Sequence, residues 1–410
     1  MNSSTSSSDA KAQRGIFVRI FLTVLLGMGI ALALVQGLVM ALGAGSSSLL
    51  GRVIEARNAI PRIVSEPQEL VMMFGSSMTD AGFSPREFDL AIAENGGSVK
   101  SFNFGFGGLN PLFQDYLSRR IREDFEANDR RLKLVMIEFN PFQTTVSRRN
   151  LQRPLEESYV ALLASPAELA DFTLDDPGSG IRMSLIRYLR DGISAEMITT
   201  FLWGEPFRAP RSDDGVAFER DEAAEERLRE VLRVLGERFG EEYPDFDGSD
   251  WYYPWQGGGT IKAERPAETL EFFDEYYDLI TTDYRMAVDR LDRVQSADIE
   301  ELHFDAELVS AFVRIVENFK AISDHVEIIM LPKNTDWIKN PPEALVRQAE
   351  AIKQIEAETG LPVRDFQVIE PVSNDMFSDT THLNRYQGAV AFTDFLVERY
   401  AELLTQPAPN

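Results

Sequence analysis

Cysteine is absent from this chain of 410 residues. That removes disulfides, thiolate metal sites and a cysteine nucleophile, and it leaves the compartment open. Histidine is nearly absent too. The chain has 3, so any imidazole chemistry must fall on His303, His325 or His382. Positive charge is also scarce: Lys and Arg number 41 against 66 Asp and Glu, a formal net charge of −25. Such a surface repels phosphate backbones and anionic headgroups, which argues against nucleic-acid binding and fits a solvated, soluble surface. No internal repeat is visible. The stretch "DFDGSDW" at 245–251 has the composition of a calcium loop, but its glycine stands at the wrong position. No metal or cofactor is expected.

Charge is missing altogether from Ile20 to Ala44. A helix of that length reaches about 37 Å, more than a hydrocarbon core of roughly 30 Å. A cleaved signal has a shorter apolar core, about 7–15 residues, so an uncleaved anchor is favoured although "ALGAG" at 41–45 has the small residues of a cleavage site. Lys11, Arg14 and Arg19 precede the run and point to a cytoplasmic N-terminus, with the rest of the chain outside the cytoplasm; Arg52, Arg57 and Arg62 follow it. The expected organisation is a disordered tail over 1–14, a transmembrane anchor over 15–45 and a stalk over 46–66.

The hydrophobic content of the whole chain, 44%, is enough for a core. "ELVMMFG" (69–75), "VKSFNFG" (99–105) and "LKLVMIEF" (132–139) read as strands buried on both faces. Helices are expected at 84–95 and 110–125. The alternation breaks over 141–300, which reads as a helical insertion or cap and includes an amphipathic helix at 228–239. It resumes with a helix at 305–323, a strand at 325–332, a helix at 342–358, a short strand near 361–366 and a last helix at 385–404. The expected fold is therefore α/β with a parallel sheet, built from 67–140 and 301–405 around the insertion.

Polar residues gather where the strands end, the side on which open α/β sheets bind ligands. Gly75-Ser76-Ser77 follows the first strand. The second ends at Asn103, Gly105, Gly107 and Gly108, and the third at Asn140. Asp379-Thr380-Thr381-His382 precedes the last helix. Acyl transfer through serine needs an exposed hydroxyl, a histidine to take its proton, a carboxylate to orient that histidine, and donors for the oxyanion. Of the three histidines, His325 opens an apolar strand and His303 lies beside a helix start. Only His382 follows an acid by three residues in a turn.

These blocks, in this order, resemble those of the SGNH (GDSL-type) hydrolase superfamily. Gly75-Ser76-Ser77 matches its first block, with Ser76 in place of the usual aspartate. "NFGFGG" supplies Asn103, Gly105 and Gly108 of the second. Glu138-Phe139-Asn140-Pro141 stands where the family usually has Gly-x-Asn-Asp, and Asp379 and His382 form an intact Asp-x-x-His. The resemblance covers the α/β portion and implies a three-layer α/β/α domain. It implies Ser77 as nucleophile, His382 as general base, Asp379 as its orienter, and the N–H groups of Ser77 and Gly108 with the Asn140 amide as oxyanion donors. The GSS-type serine behind one membrane helix is similar to a membrane-anchored branch whose members resemble alginate O-acetylation and lipoteichoic acid D-alanylation proteins. That implies an extracytoplasmic or periplasmic esterase or O-acyltransferase, an acylated envelope or exported polysaccharide as substrate, and a membrane-bound O-acyltransferase as partner. The competing reading is a non-catalytic glycan-binding scaffold that uses the same crevice.

Further candidate substrate contacts are Ser76, Asn103, Lys333, Asn334, Trp251 and Trp255. Trp251 and Trp255, with Tyr252 and Tyr253, either stack on sugar faces, form a lid or pack the insertion's own core. Lys333 and Asn334 either reach the crevice rim or close a strand-end turn. Glu138 either perturbs the crevice charge or pairs with a basic residue.

Overall fold

Apolar runs that stop at glycine or polar turns become five parallel strands, and the connections between them decide where the polar ends meet. The structure is a computed structural model. It describes residues 6–41, 48–107, 109–189, 300–384 and 387–405, with scattered positions between 223 and 277. The strands are β1 (Glu69–Ser76), β2 (Val99–Phe106), β3 (Leu132–Glu138), β4 (Ser323–Met330) and β5 (Val363–Asp365). Their order in the sheet is β2-β1-β3-β4-β5, and the paired strands are all parallel. Successive connections leave β1 first toward β2 and then, from β2, cross to β3 on its other side. The carboxyl end of β1 is thus a switch point, where an open sheet leaves a crevice between diverging connections.

The chain partitions into two compact units, residues 1–48 with 165–206 and residues 49–164 with 207–410. In the first lie α1 (Ser6–Ala41), α7 (Pro166–Asp175) and α8 (Pro177–Leu189). A capping box starts α7: Ser165 Oγ accepts from Glu168 N while the Glu168 carboxylate accepts from Ser165 N. Residues 6–14, expected without structure, are helical and continuous with the apolar run, because a helix once nucleated extends at little further cost. Among the described residues no helix is long and apolar enough to cross a membrane.

The second unit holds the sheet. Among its continuously described residues the helices are α2 (Ser48–Ile63), α3 (Ser77–Gly82), α4 (Pro85–Glu94), α5 (Pro111–Ala127), α6 (Val146–Leu163), α9 (Ala306–Ile322), α10 (Pro342–Thr359) and α11 (Gly388–Thr405). Alternate residues of β1 face opposite layers. Val71 and Met73 join Phe88 of α4 and Phe392 and Leu396 of α11 in one buried cluster. Phe74 points the other way and meets Phe319 of α9 edge-on, ring centroids 4.9 Å apart. Across that second layer Asp115 of α5 ties to α9, accepting from Arg314 Nε at 2.7 Å and Asn318 Nδ2 at 3.4 Å.

Three expected boundaries move. The stalk is not free: Ala56, Ala59, Ile60 and Ile63 of α2 are fully buried, and Arg57 Nη1 donates to Leu162 O at 2.9 Å. Their spacing makes one apolar stripe, and a stripe is buried wherever a surface accepts it. The α/β unit does not stop at residue 140. A 3-10 turn (Pro141–Thr144) and α6 belong to it, with Tyr159 packed on Phe113 at 4.8 Å between centroids. The third change is α3, a six-residue helix beginning at Ser77, where no helix was expected before residue 84. Of the helix expected at 228–239, the described residues 229–231, 233, 234 and 237 are helical and Val231 is fully buried.

Candidate active site

The turn after β1 answers which serine of the pair is open to chemistry. Ser76 caps α3 and is 1% exposed. Its hydroxyl donates to Glu138 Oε1 at 2.7 Å and accepts from Met78 N at 3.1 Å and from Asn140 Nδ2 at 2.9 Å. One donor and two lone pairs are all a hydroxyl has, so Ser76 is saturated. Ser77 is the first residue of α3 and half-buried. As such its N–H has no intrahelical acceptor.

Ser77 Oγ lies 2.7 Å from His382 Nε2, across a separation of 305 residues. On the other side of the ring, His382 Nδ1 lies 2.7 Å from Asp379 Oδ2. A carboxylate only accepts, so Nδ1 carries the hydrogen, and Nε2 is left as the acceptor of the Ser77 hydroxyl. Both side chains keep about a fifth of their surface open, His382 at 19% and Asp379 at 21%. The turn that carries them is closed at its base. Phe377 and Leu383 form an antiparallel bridge, and Ser378 N donates to His382 O at 2.8 Å. Within the turn, Asp379 Oδ1 accepts from Thr381 N and His382 N, each at 2.8 Å, and from Thr381 Oγ1 at 3.3 Å. One carboxylate oxygen therefore shapes the loop and the other holds the ring.

The remaining expected contacts fare differently. Asn103 is fully buried, and its amide donates to the carbonyls of Thr79, Asp80 and Phe83 at 3.0, 3.2 and 2.7 Å. Its Oδ1 accepts from Gly105 N at 2.9 Å. It ties the β2 end to α3 and offers nothing to a substrate. Gly105 has a related reason to lack a side chain, since a Cβ there would overlap the backbone of Asp80. Asn140 does sit beside the turn, but its amide donates to Ser76 Oγ at 2.9 Å and to Met78 Sδ at 3.4 Å, while Oδ1 caps the turn at Phe142 N. In this state neither of its N–H groups is free for an oxyanion. Asn334 is fully buried and donates to Tyr277 Oη at 3.3 Å and Asn374 O at 3.4 Å. Lys333 donates to Asn340 Oδ1 at 3.0 Å; burial pulls its ammonium below the ordinary lysine range, against the attraction of Asp365. Both close the strand-end turn rather than line a crevice. Ser76, being buried and saturated, is likewise no substrate contact. Gly108, Trp251 and Trp255 lie outside the described residues.

Two other histidines are apart from this geometry: His303 is exposed against Glu301 at 3.1 Å, and His325 is exposed on β4. Among the described residues no group of acids and histidines is arranged to hold a metal ion. Sequence reasoning missed Gln114, whose Nε2 donates to Gly75 O at 3.0 Å and Leu109 O at 3.3 Å and so pins the base of the serine turn. It also missed Thr381. Gln114 carries no local signal, because the carbonyl of Gly75 is brought near it only by the fold, whereas Thr381 acts within its own turn and shows nothing in its residue type that separates it from Thr380. No family model matches the chain, and no curated protein matches it.

Proposed function

We propose that this chain is a serine esterase or O-acyltransferase of the SGNH type, working through an acyl-serine intermediate. The observation that carries the reading is the unbroken run of contacts from Ser77 Oγ through both nitrogens of His382 to Asp379, at 2.7 Å on each side. In the mechanism Ser77 Oγ attacks an acyl carbonyl while its proton passes to His382 Nε2. Asp379 holds the imidazole in the required tautomer and stabilises the imidazolium. The proton then goes to the leaving alkoxide. A second hydroxyl, of water or of a glycan, repeats the steps in reverse, so hydrolase and transferase differ only in the acceptor. The N–H of Ser77 is the oxyanion donor this chain offers without rearrangement, and Gly108 N is the second in the resemblance. An Asn140 contribution requires its amide to leave Ser76 or Met78 as charge develops.

The substrate class we favour is an O-acyl group on an envelope or exported polysaccharide, with a membrane-bound O-acyltransferase as acyl source. The ground for that is the resemblance to the membrane-anchored branch, in which a GSS-type serine stands behind one apolar N-terminal helix. The charge-free run from Ile20 to Ala44 lies largely on α1, and its described apolar side chains are open, Leu26 at 66% and Leu34 at 69%. Exposed apolar surface of this extent calls for lipid or a partner. The anchor predicts that full-length chain stays in membranes through alkaline carbonate washing; quantitative release into the wash rules the anchor out.

The catalytic reading is tested with a fluorophosphonate, which reacts only with an activated serine. Stoichiometric labelling at Ser77, located by peptide mass and lost in His382→Ala, is the expected result. Intact, folded protein that takes up no label at any pH between 6 and 9 would instead favour a silent glycan-binding scaffold.

A further inference from the structure

Glu138 ends β3 and is 3% exposed. A carboxylate that far from water must regain its lost hydration from a cation or from several donors. Here its partners are four neutral donors. Oε1 accepts from Ser76 Oγ at 2.7 Å. Oε2 accepts from Ser76 N at 2.7 Å, from Thr79 N at 3.3 Å and from Thr79 Oγ1 at 2.6 Å. All four belong to two residues, and those two bracket Ser77 and Met78 in the chain.

We propose that Glu138 is a positioning residue for the nucleophile: its carboxylate clamps the turn between β1 and α3 so that Ser77 Oγ stays on His382 Nε2. The inference rests on Ser77 being the nucleophile. A carboxylate accepts on both oxygens and donates nothing, so it serves all four donors, one on Oε1 and three converging on Oε2. Ser76 is held at both its N–H and its hydroxyl, so the peptide that joins it to Ser77 cannot swing without breaking several bonds at once. Thr79, one residue beyond Met78, is held the same way. The sequence accommodates the clamp. Gly75 has no side chain because a Cβ there would overlap both Glu138 Oε2 and Thr79 Oγ1. Asn140 braces the same assembly by donating to Ser76 Oγ at 2.9 Å. Gly75, Ser76, Thr79, Glu138 and Asn140 thus form one unit beneath the reacting hydroxyl.

A merely structural carboxylate would affect how much protein folds, not how fast each folded molecule reacts. Glu138→Gln keeps the shape but has one acceptor oxygen and two N–H donors, so it cannot satisfy all four groups. Folded Glu138→Gln is expected to lose about 10²-fold in kcat toward p-nitrophenyl acetate, with KM within about twofold. Its fluorophosphonate labelling should slow in parallel. Wild-type protein that labels at Ser77 beside Glu138→Gln with unchanged kcat and labelling rate overturns the clamp and leaves the nucleophile standing. Wild-type protein that never labels overturns both. If Glu138→Gln does not fold, Thr79→Val carries the test, because it removes one hydroxyl donor and keeps the backbone N–H. A loss of about tenfold in kcat is then expected, and an unchanged kcat refutes the proposal.

Discussion

Ser77→Ala is expected to lower kcat toward a p-nitrophenyl ester by about 10⁶-fold, the scale seen when a triad nucleophile is removed, while leaving the melting temperature nearly unchanged. The two halves of this expectation have separate grounds. For activity, Ser76 cannot substitute, since its hydroxyl is saturated and 1% exposed. For stability, the bond between Ser77 Oγ and His382 Nε2 joins two half-buried groups. A bond of that kind contributes about 1 kcal/mol, and alanine suits a helical position better than serine. The remaining turnover should still exceed the uncatalysed rate, because oxyanion donors and binding survive the substitution. Turnover of the purified variant within tenfold of wild type would remove Ser77 from the chemistry.

How much of this was legible in the sequence follows from how local each signal is. The strands were readable because a strand buried on both faces is a continuous apolar run, and the observed bounds at 69–76 and 132–138 differ from the expected ones by a residue. The strand order was not, since it depends on which way each connection crosses the sheet. The six-residue α3, "SMTDAG", has no apolar period to reveal it; its start is decided by the Ser76 cap. Ser77, Asp379 and His382 stood out because their types and spacings are what acyl transfer needs. Asn103, Asn334 and Lys333 stood out for the same reason, polar residues at strand ends, yet they satisfy backbone and turn groups that the strands leave open. Strand-end polarity alone does not separate a residue that serves the fold from one that serves a ligand. Glu138 stood out in the sequence as well, but neither partner expected of it, crevice charge or a basic residue, is the set of neutral donors it meets. Nothing near it in sequence needs a carboxylate, and its donors lie about sixty residues away.

Asp379→Asn should be as damaging to turnover as Asp379→Ala, and kinder to the fold, although it is the more conservative change. Asp379 Oδ1 accepts from the backbone N–H of Thr381 and of His382. Those two donors cannot rotate away, so the asparagine oxygen must take the Oδ1 position. Its NH2 then occupies the Oδ2 position, 2.7 Å from His382 Nδ1, and donates to it. Nδ1 becomes an acceptor, the ring hydrogen moves to Nε2, and no lone pair faces the Ser77 hydroxyl. The loss expected from such a wrong tautomer is about 10⁴-fold in kcat. Asp379→Ala sets no tautomer, but it leaves both backbone donors unmet and should cost roughly 1–3 kcal/mol for each that stays buried. Nitrogen-15 NMR of labelled His382 reads the switch directly: hydrogen on Nδ1 in the wild type and on Nε2 in Asp379→Asn. Asp379→Asn protein that keeps the wild-type tautomer and more than a tenth of its kcat would mean that the ring is oriented by something else. The neighbour to examine would then be Thr381, whose Oγ1 stands 3.3 Å from the same nitrogen.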